Sequence, residues 1–229
     1  MSRPLALLLM LPLFWCGTNP RDDSAKRIAD QTLLKPFAGL VGEWRGTGQP
    51  QRGSARGAWT ETGVWAWKLT KDSAALEFVI EKGKHFKSAT LRPSEVPGEF
   101  SFIVVLEDGT SRAFVGKATP KAALIFVAKD EVPEGVSRVT ITPLHDTRFV
   151  MLLETGTASR LAEVGYTRKG AAFAAGDSAP KCIVTGGRGT IAVSYKGKSY
   201  FVCCSGCKEL FDENPEAVLA EAKAKTDAK

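Results

Sequence analysis

The chain has 229 residues, 44% of them hydrophobic, 24% charged and 9% aromatic, with a net charge of +6. These are the proportions of a globular protein of one or two domains, and they exclude a disordered tail, a collagen-like rod and a multi-span membrane protein. The charge is spread thinly, 0 over residues 1–25, +4 over 26–180 and +2 over 181–229, so no basic block marks a nucleic-acid partner.

The N-terminus reads as a targeting segment. Arg3 is followed by an apolar run from Leu5 to Trp15, broken only by Pro12. About 11 apolar residues behind a cation fit a secretory signal and are too few to span a bilayer. No A-x-A cleavage site follows; Cys16-Gly17-Thr18-Asn19-Pro20 does. An apolar segment ending in Cys resembles the bacterial lipoprotein pattern, although Trp15 stands where that pattern carries a small residue. The resemblance implies a lipid on Cys16, contact with a membrane through that anchor, and a place in the periplasm or cell envelope. The polar residues 18–25 read as a tether, so residues 1–25 form an export segment.

A short helical stretch is expected around Ala29–Phe37. Strand signals follow, beginning at Gly42 and continuing at Trp59–Leu69, Ala74–Ile80, Phe86–Leu91, Phe100–Leu106, Arg112–Lys117, Ala123–Ala128, Arg138–Thr142, Phe149–Leu153 and Leu161–Thr167. These segments are rich in Val, Ile, Phe, Thr and Trp. Turn chemistry separates them, as in Lys82-Gly83-Lys84, Asp108-Gly109 and Glu154-Thr155-Gly156. Phe100, Phe102, Val104 and Leu106 alternate onto one face, which is the period of a half-buried strand. Many short strands without intervening helices predict a mainly β fold, an antiparallel meander over residues 30–170. Nine or ten such strands either close into a barrel or stack as a sandwich, and closure is the expected form because it removes exposed edges.

Gly42-Glu43-Trp44 opens this region and Arg168 ends its last strand. The pair resembles the G-x-W start and late Arg of lipocalin-like and fatty-acid-binding-like barrels. In those families the Trp plugs the barrel floor and the Arg packs on its ring, so Trp44 and Arg168 are the expected floor, and a small apolar molecule is a possible ligand of the lumen. Trp59, Trp65 and Trp67 read as core or rim aromatics. Glu61, Glu77 and Glu99 read as solvent-facing strand carboxylates. His85 and His145 fall in or beside turns, which gives no histidine on the last strand to hold haem. No nucleophile elbow, Walker loop or H-E-x-x-H occurs, so a non-enzymatic role is expected.

Residues 171–180, rich in Gly and Ala and closed by Pro180, read as a linker. Beyond it four cysteines, Cys182, Cys203, Cys204 and Cys207, fall within 26 residues. A Cys loop leads into a hairpin over Ile191–Val202 with a Lys196-Gly197 turn, and Asn214-Pro215-Glu216 predicts the cap of a final helix. Cys203 and Cys207 are four apart and can aim at one point if a helix starts there; the hairpin returns the chain to Cys182. A helix N-terminus also favours thiolate over thiol. Three converging thiolates suit a soft or borderline metal, Zn(II), Cu(I) or a heavy-metal ion. Cys204 is then a spare or takes the place of Cys203. A fourth ligand is not evident; Asp177, Asp212 and water are candidates.

Tyr195-Lys196-Gly197-Lys198-Ser199-Tyr200-Phe201-Val202-Cys203-Cys204-Ser205-Gly206-Cys207, followed by Phe211 and Asn214-Pro215, resembles the YHS/TRASH family, with Val202 where an aromatic is usual. The resemblance covers residues 181–226 and implies a small treble-clef-like α+β module that binds metal. An oxidising compartment offers another use of the same cysteines, a disulfide from Cys182 to Cys203 or Cys207 that staples a domain too small to hold itself. Two functions are therefore expected in competition: an exported metal-binding protein of the cell envelope, or a carrier of a small apolar ligand whose Cys module is only structural.

Overall fold

A computed structural model of the chain describes residues 20–119, 123–170 and 180–227. The apolar run, Cys16 and most of the expected linker, including Asp177, lie outside the described residues.

Helix α1 spans Pro20–Leu34, so it begins inside the segment read as a tether. Proline fits the first position of a helix, where its missing N–H would have no intrahelical partner. A 3-10 helix over Lys35–Leu40 follows and buries Phe37 and Leu40. Ten antiparallel strands then run in sequence order: β1 (Gly42–Gln49), β2 (Trp59–Leu69), β3 (Ala74–Glu81), β4 (Phe86–Pro93), β5 (Glu99–Leu106), β6 (Ser111–Ala118), β7 (Leu124–Ala128), β8 (Arg138–His145), β9 (Arg148–Glu154) and β10 (Arg160–Arg168). Each pairs with the next, and β1 pairs with β10 from Trp44↔Arg168 to Gln49↔Glu163, which closes the barrel. The expected meander and its closure are both present.

Period-2 alternation sends Trp65, Phe78, Phe102, Phe126, Phe149 and Tyr166 inward, where all are buried. The rings pack against one another: Trp65 stacks on Phe78 at 4.6 Å and Phe149 on Tyr166 at 4.4 Å, and Phe78 meets Tyr166 edge-on at 5.5 Å. Ring contacts of this kind add to the large apolar area each aromatic buries.

The floor lies at the end where β1 starts and β10 finishes. Trp44 is buried there, its indole Nε1 donating to the Leu40 carbonyl at 2.7 Å, and the Arg168 guanidinium lies 4.3 Å from its ring centroid. Arg168 also donates to the carbonyls of Val41 at 2.7 Å, Asp146 at 2.7 Å and Gly39. One guanidinium thus ties the 3-10 helix to the β8–β9 turn and covers the Trp44 face, a cation–π contact. Helix α1 packs beside this end against β3 and β4, and Asp30 accepts the Ala74 amide at 3.1 Å.

The second region comprises hairpin strands β11 (Ile191–Tyr195) and β12 (Lys198–Val202) and helices α2 (Ser205–Glu213) and α3 (Pro215–Asp227). Lys196 and Gly197 both have positive φ, 48° and 73°, as a two-residue type I′ turn requires. Asn214 ends α2 and caps α3, its side-chain oxygen accepting the Ala217 amide at 3.1 Å, as the Asn214-Pro215-Glu216 signal predicts. Glu216 at the start of α3 accepts from Tyr195 at 2.8 Å and from Lys196 at 2.7 Å, which latches the hairpin turn to the helix.

Candidate metal centre

The loop before β11 is built to hold Cys182. Its amide donates to the Gly187 carbonyl at 2.7 Å, and its carbonyl accepts the Gly186 amide at 2.8 Å. The loop is sewn to β12 by Ile183 N–H to Phe201 O and Thr190 N–H to Val202 O, both 2.8 Å. Cys203 follows directly on β12, and the Thr190 hydroxyl donates to its carbonyl at 3.2 Å. Cys204 has extended φ and ψ and occupies the N-cap of α2, so Cys207 sits in the first turn. The two outer cysteines of the C-C-S-G-C run therefore do not share a helix face. Cys203 is in the strand-to-helix joint, and the sharp change of direction at Cys204 brings its sulfur towards Cys207.

The sulfurs of Cys182, Cys203 and Cys207 all lie within 4.8 Å of one another. Cys203 Sγ and Cys207 Sγ are 3.5 Å apart, and all four C-terminal cysteines are free and buried. Tetrahedral zinc with thiolates at 2.3 Å separates its sulfurs by about 3.8 Å, so these spacings suit a three-thiolate site. Cys204 is set apart. Its sulfur is 3.9 Å from Cys203 Sγ but stands outside the mutually close group. It accepts the backbone amide of Trp67 on β2 at 3.2 Å. Strand β1 begins at Gly42, opposite Trp65, so this edge of β2 at Trp67 has no strand partner there; the Cys204 sulfur satisfies its N–H. Gly206 allows the approach, since a Cβ at that position would lie 1.7 Å from the Trp67 carbonyl oxygen.

Proton sharing polarises the cluster. Hydrogen bonds from Cys203 and Cys207 hold the Cys182 thiol far down, at about 2. Hydrogen bonds from Cys203 and Cys207, with the Cys207 and Trp67 amides, hold Cys204 at about 3. The same contacts, led by Cys182 in both cases, push Cys203 and Cys207 upward, and burial adds to this. Contacts among the sulfurs thus favour thiolate within the cluster, and a bound metal would displace the remaining protons of its ligands.

The fourth-ligand candidates resolve differently. Asp212 is exposed and paired with Lys208. Thr185 Oγ1 lies 3.5 Å from Cys203 Sγ, a contact to sulfur. Neither histidine is in the cluster: His85 stands beside Trp59 at the opposite end of the barrel, and His145 at the end of β8. Among the described residues, three sulfurs converge and no fourth protein ligand joins them.

One buried group departs from the expected solvent-facing pattern. Glu61 is 5% exposed and points into the lumen, accepting from the Tyr166 hydroxyl and from Trp59 Nε1 at 2.6 Å. Gly46 on β1 makes the room, because a Cβ there would lie 2.7 Å from the Tyr166 ring. The signal was in the alternation of β2, where Trp59, Glu61, Gly63, Trp65 and Trp67 share one face. The void beside this cluster is about 10 Å3, room for about one water.

No protein-family model matches the chain, and no curated protein is significantly similar to it.

Proposed function

We propose that this is an exported, non-enzymatic metal-binding protein of the cell envelope that holds one Zn(II) or Cu(I) ion through Cys182, Cys203 and Cys207. The carrying observation is the convergence of three buried, unbonded sulfurs within 4.8 Å. Soft or borderline cations are the ions that thiolates select. The YHS/TRASH-like run around these residues supports the reading, and the apolar N-terminal run ending at Cys16 supports export with a lipid anchor. Cys204, engaged with Trp67, serves the docking of the module. The carrier alternative rests on the closed barrel, which could hold a ligand. Against it stand the stacked rings of the lumen and the small void at Glu61.

Metal analysis of protein purified under reducing conditions tests the reading. About one equivalent of zinc or copper is expected, lost with Cys207→Ser and largely retained with Cys204→Ser. Protein with stoichiometric disulfides and no metal would overturn it, and equal loss for all four single variants would replace it with a four-thiolate centre. An unprocessed N-terminus on protein recovered from cells would end the export part.

A further inference from the structure

Among the described residues, a cleft of about 1620 Å3 lies between the barrel floor and the Cys loop. Of the three clustered cysteines, Cys203 alone lines it, so this cleft is the side from which an outside ligand would approach the cluster.

The cleft is cationic. Arg148, Arg168, Lys169 and Arg188 line it, against the carboxylates of Glu43 and Asp146. Lys169 is neutralised by Glu43 at 2.8 Å, and Arg168 is committed to three carbonyls and the Trp44 ring. Arg148 and Arg188 are exposed and form no ion pair among the described residues. Burial first, and then the positive charge of Arg188, hold the Arg168 guanidinium below its ordinary value, while Asp146 opposes this. Arg188 from the Cys loop and Arg168 from the floor line the same cleft, where an anion would offset their like charges.

We propose that this cleft is an anion site in which Arg148 and Arg188 seat a carboxylate-bearing thiol or its metal complex, so that its sulfur reaches the metal from the Cys203 side. This rests on the metal reading of the cluster and names its missing partner. Thiolate is the donor a soft ion prefers, and guanidinium groups bind carboxylates with directed, charge-assisted bonds. A thiol with carboxylates supplies both. The step is ligand addition or exchange: the thiol gives its proton to buffer, its sulfur forms one bond to the metal, and a bound water leaves, with no change of oxidation state.

The test uses the full chain loaded with Co(II), whose thiolate charge-transfer and d–d bands report the fourth ligand. Mercaptosuccinate, a thiol dicarboxylate, should saturate the spectral change at a concentration at least tenfold below that needed for uncharged mercaptoethanol. Added salt should shrink this preference. Charge reversal of both exposed residues, Arg148→Glu with Arg188→Glu, should abolish it while leaving Co(II) stoichiometry unchanged. Equal concentrations for the two thiols in the unaltered chain, or a preference that survives the double reversal, would overturn the proposal. A second arm reads the cleft without metal: equilibrium dialysis of succinate against the reduced, metal-free chain, with retention expected and lost on double reversal. If Co(II) does not bind but succinate does, the metal reading fails and the anion site stands alone. If Co(II) binds and succinate does not, only the cleft assignment fails.

Discussion

The barrel encloses a layer of stacked aromatic rings, whereas the 48 described residues from Pro180 onward bury one phenylalanine, Phe211, four valines and four thiols. Ten strands closed into a ring spread their stability over many contacts. The smaller region is near the size at which a hydrophobic core alone seldom suffices. Its order rests on a few points: the Cys cluster, the Cys204–Trp67 contact, and the ion pair from Arg27 on α1 to Glu221 on α3 at 2.6 Å. The barrel should therefore yield gradually to damage, and the module should fail at single residues.

Metal removal should produce the largest contrast. Structural zinc supplies about 10 kcal/mol or more to small thiolate domains. Chelation in reducing buffer should strip amide-exchange protection from residues 180–227 and leave the barrel strands protected. Acid should do the same, because protons compete for thiolates, and Cys203 and Cys207 hold theirs most tightly. Occupancy therefore falls as pH falls. Unchanged protection of the module after chelation would show that docking on the barrel suffices to order it.

The converse damage is Trp44→Ala at the barrel floor. Deleting a buried large aromatic costs about 3–5 kcal/mol, and here it also leaves the Arg168 guanidinium without its ring. A urea titration should show the barrel transition shifted by that amount. A cost below about 1 kcal/mol would mean that the 3-10 helix and Arg168 close the floor unaided.

The two regions were also unequally legible. Most barrel strands were marked by β-branched and aromatic residues bounded by turns, β1 by its Gly42-Glu43-Trp44 motif, and closure was preferred to a sandwich because it removes exposed edges. The Trp44–Arg168 floor rested on two short motifs, yet the register Trp44↔Arg168 places them directly opposite. In the module the cysteine spacing marked the cluster on the condition that a helix starts at Cys203. The helix starts at Ser205 instead, with Cys204 at its N-cap and the Cys204 sulfur accepting the Trp67 amide at an unpaired edge of β2. No sequence window contains both Cys204 and Trp67, 137 residues apart, so that contact was beyond local patterning. The same holds for the cleft, whose Arg148 and Arg188 come from different regions. Glu61 is another matter: its position in the β2 alternation placed it inward, and only the assumption that carboxylates face water concealed it.

Gly206→Ala probes the seam between the regions. The added methyl would lie 1.7 Å from the Trp67 carbonyl oxygen, a backbone atom that cannot swing aside, so α2 must lift from β2. Overpacking of this kind costs about 1–3 kcal/mol. The cost should fall on the module, and the Trp67 amide should exchange faster because Cys204 Sγ moves away. If Trp67 exchange is unaltered, the sulfur contact does not hold the edge.

An effect of similar size lies wholly within the barrel and asks whether its polar pair behaves as a buried unit. Tyr166→Phe removes one of two donors to Glu61 and leaves Trp59 Nε1 as its remaining partner, a loss of about 1–3 kcal/mol near neutral pH. The pH dependence separates this from simple repacking. Burial, then the adjacent Glu61 charge and its hydrogen bond, raise the Tyr166 hydroxyl well above its ordinary value. In the unfolded chain the hydroxyl ionises near pH 10, so above that point the unfolded state releases a proton that the folded state keeps. Stability from this pair is complete below about pH 10 and declines as pH rises beyond it. Urea midpoints measured on both sides of that value should fall more steeply for the unaltered protein than for Tyr166→Phe. Tyr195 and Tyr200, the other two tyrosines, are not buried and are common to both proteins, so they cancel in the difference. Parallel curves would show that ionisation of Tyr166 is not coupled to folding, and the buried carboxylate would then need another explanation for its place in an aromatic lumen.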